Sequence, residues 1–214
     1  MSKYPRTFHV SWSPGATNDD KIVLDTSNLI GEQIVITEKL DGSNASFVKG
    51  GVYARSHGAY STNPWDRQMW NIHARIDRDI PEDTYLFGEN MEGIHSIEYS
   101  NLKSYFYMFG VRENNIWVSW DKVEEWGYLL DLPLVPVLFK GVINTEVELQ
   151  ELVEGFVTKP SKVGGICEGV VVRNAGTFHN DHFKDNLRKW VRDNHVTTDS
   201  HWTRNWVRSK INYS

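Results

Sequence analysis

A lysine at the junction of a strand-forming run and a tight turn is held on a rigid element and is well placed to act as a nucleophile. Such a lysine follows Ile34-Val35-Ile36, in the segment Glu38-Lys39-Leu40-Asp41-Gly42-Ser43-Asn44. Gly42 lets the backbone come close to a phosphate, and an amine that attacks must first lose its proton through burial or nearby cations. From this segment alone, an exposed lysine on an ordinary hairpin remains an equal alternative.

Further charged groups recur at the ends of strand-like runs. They are Arg55-Ser56-His57-Gly58, Phe87-Gly88-Glu89-Asn90, Tyr107-Met108-Phe109-Gly110-Val111, Glu168-Gly169-Val170-Val171-Val172-Arg173 and Lys189-Trp190-Val191-Arg192. This is the pattern expected when several strands surround one polar pocket. One amine, two carboxylates and several cations suit nucleotidyl transfer, where catalysis is chiefly positioning and neutralisation of anionic oxygens.

In order and spacing this set resembles the covalent nucleotidyltransferase superfamily of ligases and capping enzymes, and most of all its phage-type ATP-dependent RNA ligases, the nick-sealing branch. The likeness includes Tyr4-Pro5-Arg6-Thr7, the run from Trp12 to Asp20, and His195 to Trp202. It implies that Lys39 attacks the α-phosphate of ATP and carries AMP covalently, with Glu38 lining the nucleotide site. Asp41 and Gly42 complete the turn, and Asn44 sits near the transferred phosphate. Arg55 clamps ribose or phosphate, Glu89 holds the ribose or orients the nucleophile, and Phe109 stacks on adenine. Glu168 acts with Mg²⁺ or Mn²⁺, and Lys189 neutralises the α-phosphate with help from Arg192. The family's last motif commonly has two lysines one residue apart; here Lys184 is the rival to Lys189. Asn44, Arg192, Arg204 and Arg208 are the expected polynucleotide contacts.

These groups need elements to hold them. Ile34–Ile36, Ala45–Val48 and Val52–Arg55 read as strands joined by turns at Asp41-Gly42 and Gly50-Gly51, an antiparallel meander. Asn63 as cap and Pro64 open a helix with Trp65, Met69, Ile72 and Ile76 on one face. Strands are expected at Tyr85–Gly88, Tyr105–Val111 and Ile116–Trp120, then a short helix capped by Asp121. Thr145 and Glu148 form a capping box for a helix reaching Val157. Gly169–Arg173 is a short apolar strand, and the chain from Asp185 reads as helical for ten residues or so. Helices interrupt strands irregularly, which predicts an α+β fold of largely antiparallel sheets, a nucleotidyltransferase core of ATP-grasp-like ligase type by resemblance. Residues 1–214 are expected to form one catalytic domain with no separate nucleic-acid-binding or OB domain.

Composition narrows the class. The 40% hydrophobic and 13% aromatic content supports a core, and the lone Cys167 excludes a disulfide framework or a multi-cysteine zinc site. No apolar run spans a bilayer, so no membrane partner and a cytoplasmic location are expected, host cytoplasm if phage-encoded. Net charge is −5, yet seven basic and only three acidic residues lie between Lys184 and Ser214. That segment could bind a nicked RNA or RNA/DNA duplex, with Trp190, Trp202 and Trp206 stacking on bases between Arg192, Arg204 and Arg208. Equally, its tryptophans could pack on the core with the arginines in solvent. Phe109 could be a core residue alone, and His179 with His182 lacks a third ligand for zinc. A monomer is expected, with an accessory end-processing protein as a conceivable partner. The rival functions are sealing of DNA or mixed nicks, nucleotide transfer in capping, and a catalytically inactive nucleic-acid-binding relative.

Overall fold

The computed structural model describes residues 3–17, 20–23, 25–55, 58–193 and 202–213. Asn18, Asp19, Ser56, His57 and most of the His195–Trp202 motif lie outside the described residues. In chain order the elements are β1 (Phe8–Val10), β2 (Ile22–Val23), β3 (Gln33–Lys39), β4 (Ser43–Val48), β5 (Gly51–Ala54), α1 (Arg67–Ile76), β6 (Thr84–Asn90), β7 (Phe106–Glu113), β8 (Ile116–Trp117), α2 (Trp120–Leu129), β9 (Val137–Val142), α3 (Glu146–Val157), β10 (Gly169–Asn174), β11 (Phe178–His179), α4 (Phe183–Asn186) and β12 (Leu187–Val191). The strands form two six-stranded sheets, ordered β2-β1-β12-β10-β3-β9 and β11-β8-β7-β6-β4-β5. Among the strand pairs of the described residues, β2–β1 and β1–β12 are parallel and the others antiparallel. The α+β, mainly antiparallel class expected from the sequence is therefore observed.

Side-chain alternation assigns the faces of the first sheet. Ile34 and Ile36 of β3, with Val170 and Val172 of β10, pack against Leu149 and Val153 of α3. The capping box holds α3 in place: Thr145 Oγ1 accepts from the Glu148 N–H at 3.1 Å, and the Glu148 carboxylate accepts from the Asn144 N–H at 3.0 Å. The intervening residues Thr37 and Lys39 of β3 and Val171 of β10 turn to the opposite face, where a cavity lies. In the second sheet, Phe47 stacks on Phe106 at 4.2 Å, within a cluster that includes Met69, Ile72 and Ile76 of α1. Each such buried side chain contributes roughly 1.5–3 kcal/mol, so α1 clamps this sheet firmly.

Several expectations are corrected. β3 and β4 do not form a hairpin, because residues 40–42 carry the chain from one sheet to the other. Gly42 is required there by space: a Cβ would sit 2.5 Å from the Asn90 carbonyl oxygen. The segment from Asp185 is not a long helix. After the single turn of α4, residues 187–191 form β12, hydrogen-bonded between β1 and β10. Leu187, Arg188, Trp190 and Val191 are all buried, so both strand faces are covered and the two-residue alternation is erased. Ser119, not Asp121, caps α2, and the preceding strand stops at Trp117. Asn63 donates its side-chain amide to Asp66 instead of capping α1.

Candidate active site

Between the sheets lies a cavity of about 530 Å³. Its wall includes Glu38, Lys39, Asn44, Arg55, Glu89, Phe109 and Lys189 from the residues singled out in the sequence. They come from β3, β4, β6, β7, β12 and the end of β5, so strand ends from both sheets converge on one space.

Lys39, the last residue of β3, points its amine at Glu168, just before β10. Its Nζ lies 2.7 Å from Oε1 and 2.6 Å from Oε2, and only 4% of the Glu168 side chain is exposed. Register explains the meeting, since Lys39 pairs with Gly169, the residue after Glu168. Burial disfavours the ammonium, but Glu168, then Glu89 and Asp41, outweigh it and raise the Lys39 pKa. The free protein therefore stores the amine in its protonated, non-nucleophilic form.

Glu89 faces the same amine from the second sheet, where β6 pairs it with Asn44 of β4. Its carboxyl is pushed up to about 8, chiefly by burial, while Lys39 opposes the rise and Glu168 and Asp41 add to it; the Gly42 N–H donates to it. One buried carboxylate, Glu168, and the half-buried Glu89 thus face one cation. Lys189, on the central strand β12, is held below its usual pKa by burial first and by the Lys39 charge, against the attraction of Asp20.

Asp41 and Glu168 are not part of the cavity wall. Asp41 instead anchors the turn: Oδ2 accepts the N–H groups of Ser96 and Ile97, each at 2.8 Å, and its own N–H donates to the Tyr99 hydroxyl at 2.9 Å. Phe109 meets Tyr4 edge-on at 5.2 Å, leaving its half-buried ring on the wall. Arg192, after β12, donates its backbone N–H to the Glu168 carbonyl at 3.0 Å and lies outside the cavity wall. Lys184 is exposed on α4, away from the wall. Arg204 is exposed, and Arg208 binds the fully buried Glu92 at 3.0 Å. At Arg208 the tail thus makes an ion pair with the body, an arrangement that neither sequence alternative described.

Sequence reasoning did not assign roles to Tyr4, Asp20, Trp120 or Arg173, all on the wall. Tyr4 sits in an aromatic nest of Phe87, Phe109, Trp117 and Phe183. Arg173 lies near Trp120 and Phe178, and burial lowers its pKa to about 10. Tyr4, Asp20 and Arg173 lie in runs singled out in the sequence, but no local signal gives their roles, because their neighbours come from distant strands.

One buried acceptor on the wall, Asn44 Oδ1, lacks a protein hydrogen-bond partner, whereas the Glu38 carboxylate is held by the Lys162 N–H at 3.0 Å and by Ser161. Buried polar atoms are normally satisfied, so Asn44 suits a polar ligand bearing a donor. The carboxylates of Glu168 and Glu89 are hard oxygen donors of the kind preferred by Mg²⁺ and Mn²⁺. Among the described residues no three His, Cys, Asp or Glu side chains gather to hold a metal by themselves. The set suits an ion that completes its shell with phosphate oxygens and water. His179 and His182 instead make surface pairs with Asp181 and Asp185. Among the described residues no helix is long and apolar enough to cross a membrane.

The profile of the RNA ligase family matches residues 32–191, and the chain belongs to that family. Its fold is that of nucleotidyltransferase-type ligases. An apo variant of Naegleria gruberi RNA ligase superimposes with a TM-score of 0.59 at 16% identity, covering 92% of this chain and 59% of that one. A variant of the same ligase with ATP and Mn gives 0.57 at 15% identity, over 92% and 60%. An archaeal ATP-dependent RNA ligase gives 0.61 at 13% identity, over 90% and 48%. The chain thus spans less than two-thirds of the length of these relatives. No curated protein matches the sequence.

Proposed function

We propose that this chain is the catalytic core of an ATP-dependent RNA ligase working through a lysyl-AMP intermediate. The observation that carries the reading is the meeting of Lys39 with Glu168, beside Glu89 and Lys189, at a cavity in a chain of the RNA ligase family. The Naegleria relative with ATP and Mn supports a nucleotide and a divalent ion as ligands.

Lys39 Nζ, once deprotonated, attacks the α-phosphorus of ATP; the P–N bond forms, the bond to the β-phosphate oxygen breaks, and pyrophosphate leaves. A 5′-phosphate oxygen then attacks the same phosphorus, and the amine departs, giving an adenylylated 5′ end. A 3′-hydroxyl finally attacks that 5′-phosphorus, loses its proton and expels AMP. Lys189 faces the anionic oxygens in the first two transfers, where a fixed cation stabilises developing charge. The exposed Arg55 and Asn44 on β4 orient phosphate, and the half-buried Phe109 offers a face for the base. Glu168, with Glu89 nearby, would hold Mg²⁺ or Mn²⁺. Such an ion would supply charge neutralisation on phosphate, and a Glu168 engaged with it would no longer hold the Lys39 ammonium, so the amine would give up its proton more readily.

The substrate class is RNA with a 5′-phosphate and a 3′-hydroxyl, at a nick in duplex RNA or an RNA–DNA hybrid. Incubation with α-labelled ATP and Mg²⁺ or Mn²⁺, followed by denaturing electrophoresis, tests the chemistry. Label should stay on the protein, resist base, be released by acid and vanish in Lys39→Ala. Matched RNA and DNA nicks then establish the polymer. A folded protein that never retains label would end this reading.

A further inference from the structure

Lys189 has a neighbour that the expected nucleotide chemistry does not account for. After β1, residues 11–17 are fastened to the far end of β12. The Gly15 N–H donates to the Val191 carbonyl at 2.9 Å, and the Val191 N–H donates to Ser13 Oγ at 2.9 Å. This brings Asp20 onto the cavity wall beside Lys189, with Oδ1 at 3.6 Å from Nζ.

Asp20 is itself held from two sides. Its Oδ2 accepts the Thr17 N–H at 3.1 Å and the Thr17 hydroxyl at 3.0 Å. Its Oδ1 lies 3.4 Å from Nε2 of His9, a ring only 1% exposed whose Nδ1 is 2.8 Å from Ser13 Oγ. The parallel pairing of β1 with β12 sets His9 directly opposite Lys189, so the three groups share one end of the sheet.

Ser13, His9 and Asp20 look like a hydrolytic triad by residue type, but the geometry speaks otherwise. Ser13 Oγ is buried and already accepts the Val191 N–H, while the member that reaches the cavity is the carboxylate. What the arrangement does is present a fixed anion to a lysine.

We infer that Asp20, braced by Thr17 and His9, is a positioning residue that keeps Lys189 charged and aimed into the cavity for nucleotidyl transfer. The inference rests on the proposed ligase chemistry for the role of Lys189. Lys189 faces Asp20, Lys39 and Glu168, with His9 alongside; burial and the Lys39 charge favour its neutral amine, and Asp20 is the largest opposing influence. Asp20 remains an anion throughout the working range. Partial burial opposes its charge, but the Thr17 hydrogen bonds, Lys189 and His9 hold it at about 2. At 3.6 Å the contact tethers the ammonium without a short hydrogen bond, which leaves its donors for a phosphate oxygen.

The test compares Asp20→Asn in two backgrounds, the natural chain and Lys189→Arg, whose guanidinium stays charged without help. Single-turnover self-adenylylation is followed over about pH 6.5–10 at saturating ATP, with KM for ATP measured separately and folding checked by thermal melts. In the natural background Asp20→Asn should slow the first-order step about 10-fold, change KM for ATP less than about 3-fold, and move the alkaline limb to lower pH. Asp20→Glu should recover part of the rate. With Lys189→Arg, adding Asp20→Asn should cost less than about 2-fold and leave the alkaline limb in place. Equal losses in both backgrounds, or no loss in either, would overturn the inference. A second readout needs no activity: pH-dependent acetylation of Lys189, read by mass spectrometry, should show a lower midpoint in Asp20→Asn than in the natural chain. An unchanged midpoint also overturns the inference. If no form ever takes AMP, the ligase reading fails, while the acetylation midpoint still decides whether Asp20 holds the charge.

Discussion

Lys39 Nζ sits within 2.7 Å of both carboxylate oxygens of Glu168, although Lys39 ends β3 and Glu168 lies just before the neighbouring strand β10. A chelated ammonium is a poor nucleophile, so this contact stores the amine in its inactive state. Removing the charge on Glu168 should free the amine yet remove the oxygen donors for a divalent ion. In Glu168→Gln we expect Lys39 to acetylate faster than in the natural protein at pH 8, as read by mass spectrometry. Self-adenylylation by the same variant should fall about 100-fold or more. Slower acetylation would mean that Glu168 does not control the lysine.

Glu89 carries its own pH signature. Its folded pKa is raised to about 8 from an ordinary 4.5, so folding binds a proton that the unfolded chain has released. Its contribution to stability is present below about pH 4.5 and is lost as pH rises through about 8. Glu89→Gln should therefore stabilise the nucleotide-free protein at pH 9, by roughly 1–3 kcal/mol, and confer little advantage near pH 4.5. Urea denaturation at both pH values checks the sign, and a constant difference between them would refute it.

Gly42→Ala probes the crossing between sheets. The new methyl would meet the Asn90 carbonyl oxygen, Met91 Sδ and Glu89 Cγ within 2.9 Å. A cost of about 1–3 kcal/mol is expected from such overpacking, together with slower adenylylation because Glu89 is pushed from the amine. Unchanged melting and rate would show that the turn relaxes freely.

The C-terminal segment gives a prediction opposite to a nucleic-acid tail. Arg208 holds Glu92, whose other oxygen accepts the Gln68 N–H at the start of α1. The Ser209 N–H donates to the Glu92 carbonyl, and Asn212 to that of Leu102. Arg208→Ala should lower stability by about 1–3 kcal/mol, and removal of 203–214 should impair adenylylation and RNA binding alike. Loss of RNA binding alone would instead restore the tail as a contact surface.

Much of this was legible in the sequence, and what was not has identifiable causes. β3, β6, β7 and β10 announced themselves by apolar runs ending in charged groups, and the capping box marked α3. β12 was misread as helix because burial on both faces removed its alternation. The Asp41-Gly42 pair was misread as a hairpin because a turn signal cannot say whether the next strand returns to the same sheet. Asp20 closed the run that the resemblance included, but its role was not legible: its partner Lys189 is brought to it by a parallel pairing, which leaves no local trace. Asn44, Glu89 and Lys189 were legible through the family resemblance of their motifs, and the fold brings all three to one cavity wall.

The placement of β12 between β1 and β10 has a further consequence for synthesis. The opening strand must wait for the last one before its sheet is continuous, since β1 and β10 are joined only through it. A nascent chain emerging from the ribosome with Lys39 and Glu168 already exposed would still lack the bridging strand and its cation. Under the proposed chemistry, reactivity toward nucleotide would thus be tied to completion of a long-range pairing, the slowest kind of contact to form.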